Sequence, residues 1–140
     1  MSQSYVSAAL RRLVIERAAG RCEYCRIPLD VVFVPHEIDH IVAEKHGGST
    51  DTTNLCLCCA VCNKRKGSDV ASVDPESGDI VGLYHPRRDV WEEHFSLFED
   101  GQIVGNTATG RTTVRFLLLN TRRRIEERRL LLAGGDLAAS

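Results

Sequence analysis

Beyond residue 62 the 140-residue chain has no cysteine, although six occur before that point. A disulfide framework would spread further along the molecule, so this clustering argues for metal ligands in a reducing compartment. Aromatic residues are scarce at 6%, with one tryptophan and one methionine. No apolar run approaches the roughly 20 residues that cross a bilayer, and MSQSYVSAALRRLVIERAAG lacks the basic-then-apolar order of a secretory signal. A cytoplasmic protein without a membrane partner is expected. The global basicity common in nucleic-acid binders is also missing, since 18 Lys and Arg face 19 Asp and Glu for a net charge of −1. Neither internal repeats nor low-complexity stretches are found.

What is present is the ordinary make-up of one soluble domain, with 43% hydrophobic and 26% charged residues. A chain of this size buries roughly two-thirds of the surface its unfolded form exposes, so it needs no staples merely to fold. We expect a single domain over residues 1–140, with a core at 20–67 and a C-terminal extension at 68–140.

Val6, Leu10, Leu13, Val14 and Ala18 recur at helical spacing, predicting an amphipathic helix over Ser4 to Ala19 stopped by Gly20. The β-branched run Val31-Val32-Phe33-Val34 predicts a strand, a second runs from Glu37 to Val42, and a short helix covers residues 60–66 before Gly67. After Ser68, turn signals separate candidate strands Ile80 to His85, Phe95 to Phe98 and Gln102 to Val104, a small antiparallel sheet. Thr109 to Leu132 reads as one long helix or two broken near Asn120-Thr121, and the tail AGGDLAAS as frayed.

Cys22-x-x-Cys25 and Cys59-x-x-Cys62 are two knuckles, each able to present two sulfurs to one ion, and together they predict a closed structural Zn2+ site. The 33 residues between them exceed the roughly 15–20 of ordinary fingers, so the metal would clamp a larger insert. Cys56 and Cys58 fit most simply as small apolar core residues, although Cys58 could exchange for Cys59 as a ligand.

The insert contains His36-Glu37-Ile38-Asp39-His40, a literal H-E-x-x-H. That metalloprotease motif needs a helix to bring both histidines to one zinc. Pro35 and the β-branched run before it favour extended chain, which would place positions 36 and 40 about 13 Å apart. The alternative takes Asp39-His40 as the active pair, with Asn54 and Asn63 further on.

Asp39-His40-Ile41, His46-Gly47-Gly48, Asn54-Leu55 and Cys59-x-x-Cys62-Asn63-x-x-Lys66-Gly67 resemble the HNH endonuclease family in its zinc-bearing, CxxC-flanked branch. Asn63 stands where that family's final histidine falls, so the resemblance is to an H-N-N variant. Trp91-Glu-Glu-His94-Phe95, Thr109-Gly110-Arg111-Thr112-Thr113 and Leu119-Asn120 also resemble the C-terminal extension of small bacterial HNH proteins. The resemblance implies a ββα-metal (His-Me finger) core in which His40 is the general base, Asp39 and Asn63 ligate one divalent ion, and Asn54 braces the loop that orients His40. One carboxylate and one amide oxygen make a hard-oxygen site suited to Mg2+, with Mn2+ or Ni2+ able to substitute.

Lys64, Arg65 and Lys66 follow the expected ligand and would aim cations at the DNA backbone. Residues 111–129 hold seven arginines, Arg111 and Arg122 among them, against Glu126 and Glu127, a local charge of +5. That run is either an extended DNA footprint or a solvated helix face. Nothing resembles a base-reading helix, so low sequence specificity is expected. The expected fold is α+β: an N-terminal helix, a zinc-braced ββα-metal nuclease core, then a small sheet and C-terminal helix. The rival is a non-catalytic, zinc-ribbon-like nucleic-acid-binding module.

Overall fold

Ser7 starts the first helix by accepting the Leu10 N–H on its Oγ at 3.1 Å, a hydroxyl cap for an otherwise unpaired donor. The computed structural model describes residues 5–140, so the expected start at Ser4 lies outside the described residues. Helix α1 covers Ala8–Arg17 and ends where Ala19 and Gly20 turn left-handed, at φ 53° and 70°. Its Val14 is fully buried against Leu55 and Leu57, with Leu10, Ile15, Ala18, Leu29 and Ile38 around them. The chain divides into two compact units between Ser68 and Asp69.

In the first unit, strand β1 (Glu37–His40) pairs antiparallel with β2 (Leu55–Cys58), in a register that sets Glu37 opposite Cys58 and His40 opposite Leu55. All four residues of β2 are buried. Such a strand shows no polar alternation because both of its faces are covered. Helix α2 follows over Ala60–Lys66, capped by the Cys59 sulfur, which accepts the Cys62 N–H at 3.4 Å.

The strand expected at Val31 to Val34 is absent. The chain instead makes a 3-10 turn at Leu29–Val31 and an irregular run to Pro35, leaving Phe33 and Val34 in solvent. β-branched preference is a preference for packing between neighbours, and no ladder partner reaches this run. The second expected strand is confirmed but shorter, ending at His40.

The second unit holds two separate ladders where one small sheet was expected. β3 (Ala71–Val73) pairs with β4 (Ile80–Gly82), and β5 (Phe95–Leu97) pairs with β6 (Ile103–Gly105). Helix α3 (Trp91–His94) leads into β5. Tyr84, Trp91, Phe95, Leu97, Ile103, Leu117 and Leu119 are buried there. The last segment is two helices, α4 (Ala108–Phe116) and α5 (Arg122–Ala133). Leu118, at φ 48°, turns the chain between them, and Thr121 caps α5 through the Arg124 N–H at 3.3 Å. The tail does not fray: Ser140 exchanges two backbone hydrogen bonds with Leu97, at 2.9 and 3.1 Å, and Leu137 is buried. Among the described residues no helix is long and apolar enough to cross a membrane.

Candidate functional site

Cys22, Cys25, Cys59 and Cys62 are all buried, and their sulfurs lie within 4.8 Å of one another. Tetrahedral zinc with Zn–S bonds of about 2.3 Å separates its sulfurs by about 3.8 Å. The Cys25 and Cys59 sulfurs stand 3.6 Å apart, so the four could hold zinc. Burial presses the Cys22 thiol upward, but hydrogen bonds with the Cys25, Cys58, Cys59 and Cys62 thiols outweigh it and hold Cys22 well below the ordinary value. The same contacts push the Cys59 and Cys62 thiols up, so the group shares its charge, and zinc would draw all four to the thiolate.

Glu23 ties the first knuckle to the hairpin, since its N–H donates to Leu57 O at 2.9 Å and its carboxylate accepts the Leu57 N–H at 2.8 Å. Cys56 and Cys58 lie outside the four-sulfur group. Burial pushes the Cys56 thiol up, as a core residue requires.

Glu37 and Asp39 share one face of β1 by strand alternation, and α2 meets that face. Asn63 Nδ2 donates to Glu37 Oε2, and Lys66 Nζ stands 3.3 Å from Asp39 Oδ2. Burial raises the Asp39 carboxyl above its ordinary value, against the opposing pull of Lys66. Asp39 Oδ2 is buried, and its ion-pair neighbour is the Lys66 ammonium. One carboxylate and one amide oxygen make the hard-oxygen donor set a divalent ion such as Mg2+ takes, and Lys66 already offsets part of the Asp39 charge.

His40 is buried at the end of β1, with Nε2 2.9 Å from Thr50 Oγ1 and 3.9 Å from Glu44 Oε1. Asn54 braces the loop that carries Thr50. Its Oδ1 accepts the Val42 N–H at 2.9 Å, and its Nδ2 donates to Val42 O at 2.9 Å and Ser49 O at 2.8 Å. Gly48 lies against this brace, where an added Cβ would sit 1.7 Å from Val42 O. Arg17 fastens the loop's far end by donating to Thr52 O and Leu55 O, both at 2.8 Å. His36 is buried with Nε2 2.9 Å from Ile27 O. Since Glu37–His40 is a strand, the helix that H-E-x-x-H requires is not there.

The basic residues divide by burial. Lys64 and Arg65 are exposed on α2, whereas Lys66, expected to face phosphate, is buried against Asp39. Consecutive helical positions lie about 100° apart, so the three do not share one face. The arginine-rich run is largely occupied. Arg111 grips Asp74 through two hydrogen bonds, at 2.9 and 3.1 Å, and pairs with Glu76 at 3.2 Å. Arg128 is buried on Gly101 O and Leu119 O, Arg124 on Leu117 O, and Arg129 pairs with Glu126. Arg115 and Arg122 are exposed. A sequence displays these charges without showing the carbonyls and carboxylates that consume them.

A zinc-suited pair of knuckles, a hairpin carrying Asp39 and His40, and a helix bringing Asn63 against it decide the comparison. Residues 22–69 match the HNH endonuclease family. The HNH segment contains the four cysteines, Asp39, His40, Asn54, Asn63, Lys64, Arg65 and Lys66; Arg111 and Arg122 lie outside it. Over 70 residues, 49% of its length, the chain is 34% identical to the CRISPR-associated endonuclease Cas9 of Corynebacterium diphtheriae. The match covers 6% of that protein. No solved structure matches the chain. Sequence reasoning singled out the four cysteines, which the structure brings together, but gave no role to Glu23, Thr50 or Glu37, the last quoted only within the H-E-x-x-H pattern.

Proposed function

We propose that the HNH-matching unit hydrolyses DNA phosphodiester bonds with low sequence specificity, using His40 as general base and one divalent ion held by Asp39 and Asn63. The observation that carries this reading is the α2 face set against β1, which brings Asn63 to the strand that carries the buried Asp39 carboxylate. The HNH match supports the same chemistry.

Thr50 engages His40 Nε2, so the base acts through Nδ1. The Glu44 carboxylate near Nε2 favours the proton on that nitrogen. Nδ1 takes a proton from water, the water oxygen bonds to phosphorus, and the bond to the leaving oxygen breaks. Adjacent strand residues point to opposite faces, which keeps the base apart from the Asp39 carboxylate. A bound Mg2+ or Mn2+ would supply charge absorption on the phosphoryl group and the leaving oxygen. Lys66 offsets part of the Asp39 charge and steadies the carboxylate. Exposed Lys64 and Arg65 meet phosphates without reading bases, and Arg122 is an exposed cation of the second unit. Arg111 has its charge matched by Asp74 and Glu76 and contributes less.

The test is conversion of supercoiled plasmid to nicked circles by the full chain and by Asp39→Asn, with Mg2+, Mn2+ or EDTA. Nicking that requires added metal and fails in Asp39→Asn supports the reading. DNA binding without cleavage under every condition overturns it in favour of the zinc-ribbon-like module.

A further inference from the structure

Two side-chain pairs between β1 and α2 form a ladder, beside a hydrogen bond from Lys66 Nζ to His40 O at 3.4 Å. Residues two apart on a strand share a face about 6.6 Å apart, and residues three apart on a helix share a face at about 4.5 Å of rise. Glu37 with Asn63 is one rung and Asp39 with Lys66 is the other. In each rung a residue assigned to the ion meets one that is not. The phase of α2 is fixed from its start, because Cys59 caps it and Cys62 lies one residue before Asn63. Asn63 therefore reaches Glu37 by construction of the zinc-suited knuckle.

An asparagine amide is two-fold ambiguous: one edge presents an oxygen lone pair and the other an NH2 group. Only the oxygen edge can ligate a cation. A carboxylate accepts and cannot donate, so the contact with Glu37 Oε2 fixes which edge faces it. The NH2 group turns to Glu37, and Oδ1 is left on the opposite edge.

We infer that Glu37 is a positioning residue that selects the metal-binding orientation of the Asn63 amide. The inference rests on the reading of Asn63 as a ligand. In this role Glu37 acts on the ion through Asn63. A glutamine at the same position accepts through one atom and donates through the other, so it would leave the amide free to present either edge. Glu37 is solvent-exposed, so Glu37→Gln should fold and keep its zinc content and melting temperature.

The experiment is Mn2+ titration of the zinc-loaded full chain, read from the free Mn2+ signal in electron paramagnetic resonance, for wild type, Glu37→Gln, Asn63→Ala and the double variant. Residues that orient a ligand are worth about 10- to 100-fold in metal affinity. Glu37→Gln should therefore weaken Mn2+ binding about 10-fold or more, Asn63→Ala should also weaken it, and Glu37→Gln should add nothing in the Asn63→Ala background. Wild-type affinity in Glu37→Gln overturns the inference while Asn63→Ala still supports the ligand reading. An equal loss from Glu37→Gln in both backgrounds also overturns it, since Glu37 would then act on the ion directly. Unchanged affinity in Asn63→Ala, or a wild-type chain that binds no Mn2+, overturns the ligand reading itself and this inference with it.

Discussion

Replacing Asn54 with alanine removes three hydrogen bonds from a residue that is 7% exposed, and with them the closure of the loop from Val42 to Asn54. Each bond contributes about 1 kcal/mol net, so the loss is about 3 kcal/mol, or about 2 kcal/mol where water reaches the freed groups. For a unit of this size, about 4–8 °C of melting temperature goes with each kcal/mol, giving a fall of roughly 10–20 °C. Asn54→Asp is a sharper variant. It keeps Oδ1 as acceptor but turns the donor into an oxygen facing Val42 O and Ser49 O, and should cost at least as much. Thr50 rides on the same loop and holds His40 Nε2, so metal-dependent nicking should fall while DNA binding persists. Gly48→Ala should act alike, since its Cβ would collide with Val42 O. Urea unfolding by circular dichroism gives the global loss, and hydrogen exchange at the Val42 amide reports the local one. A loss below about 1 kcal/mol in both Asn54 variants, with Val42 exchange unchanged, refutes the reasoning.

Three further outcomes follow from the structure. Cys22→Ser removes one of four sulfurs from a site whose zinc-finger counterparts contribute on the order of 10 kcal/mol; zinc stoichiometry should drop below one and cooperative unfolding of the first unit should be lost, and an unchanged melting curve contradicts a structural site. The Arg111 guanidinium holds Asp74 well below the usual carboxylate range, so its stabilisation is complete above the unfolded value of about 3.9 and drains as pH falls below it. Arg111→Ala should flatten the acid limb of the melting-temperature profile below about pH 4, and a profile parallel to wild type counts against the pair. Lys64→Ala with Arg65→Ala should lower the slope of log affinity for duplex DNA against log salt by about 0.9 per residue; an unchanged slope shows that neither meets phosphate.

How much could be read in advance depended on whether the deciding force was local. Helix α2 was legible to the residue because a CxxC knuckle opens it and Gly67 closes it, at a left-handed φ of 54°. Between one long helix and two broken near Asn120-Thr121, which the sequence left open, the structure takes the second, with Thr121 as the cap of α5. Val31 to Val34 was misread because β-branched composition says nothing about whether a partner strand arrives. The tail was misread because Ser140 pairs with Leu97, which is distant in sequence, and Leu137 is buried. In the site, the four cysteines could be assigned from spacing, whereas the inward turn of Lys66 depends on the phase of α2 against β1. Arg124 and Arg128 looked like surface charge, yet each is buried on backbone carbonyls left open at the α4–α5 turn and beside Gly101.

The most direct test of the central claim is single-turnover plasmid nicking at saturating Mn2+ by wild type and His40→Ala, with zinc content, melting temperature and DNA affinity matched. A positioned general base is worth about 100- to 10,000-fold. The account predicts a loss of that order in His40→Ala with DNA binding retained. Equal rates for the two proteins would contradict it.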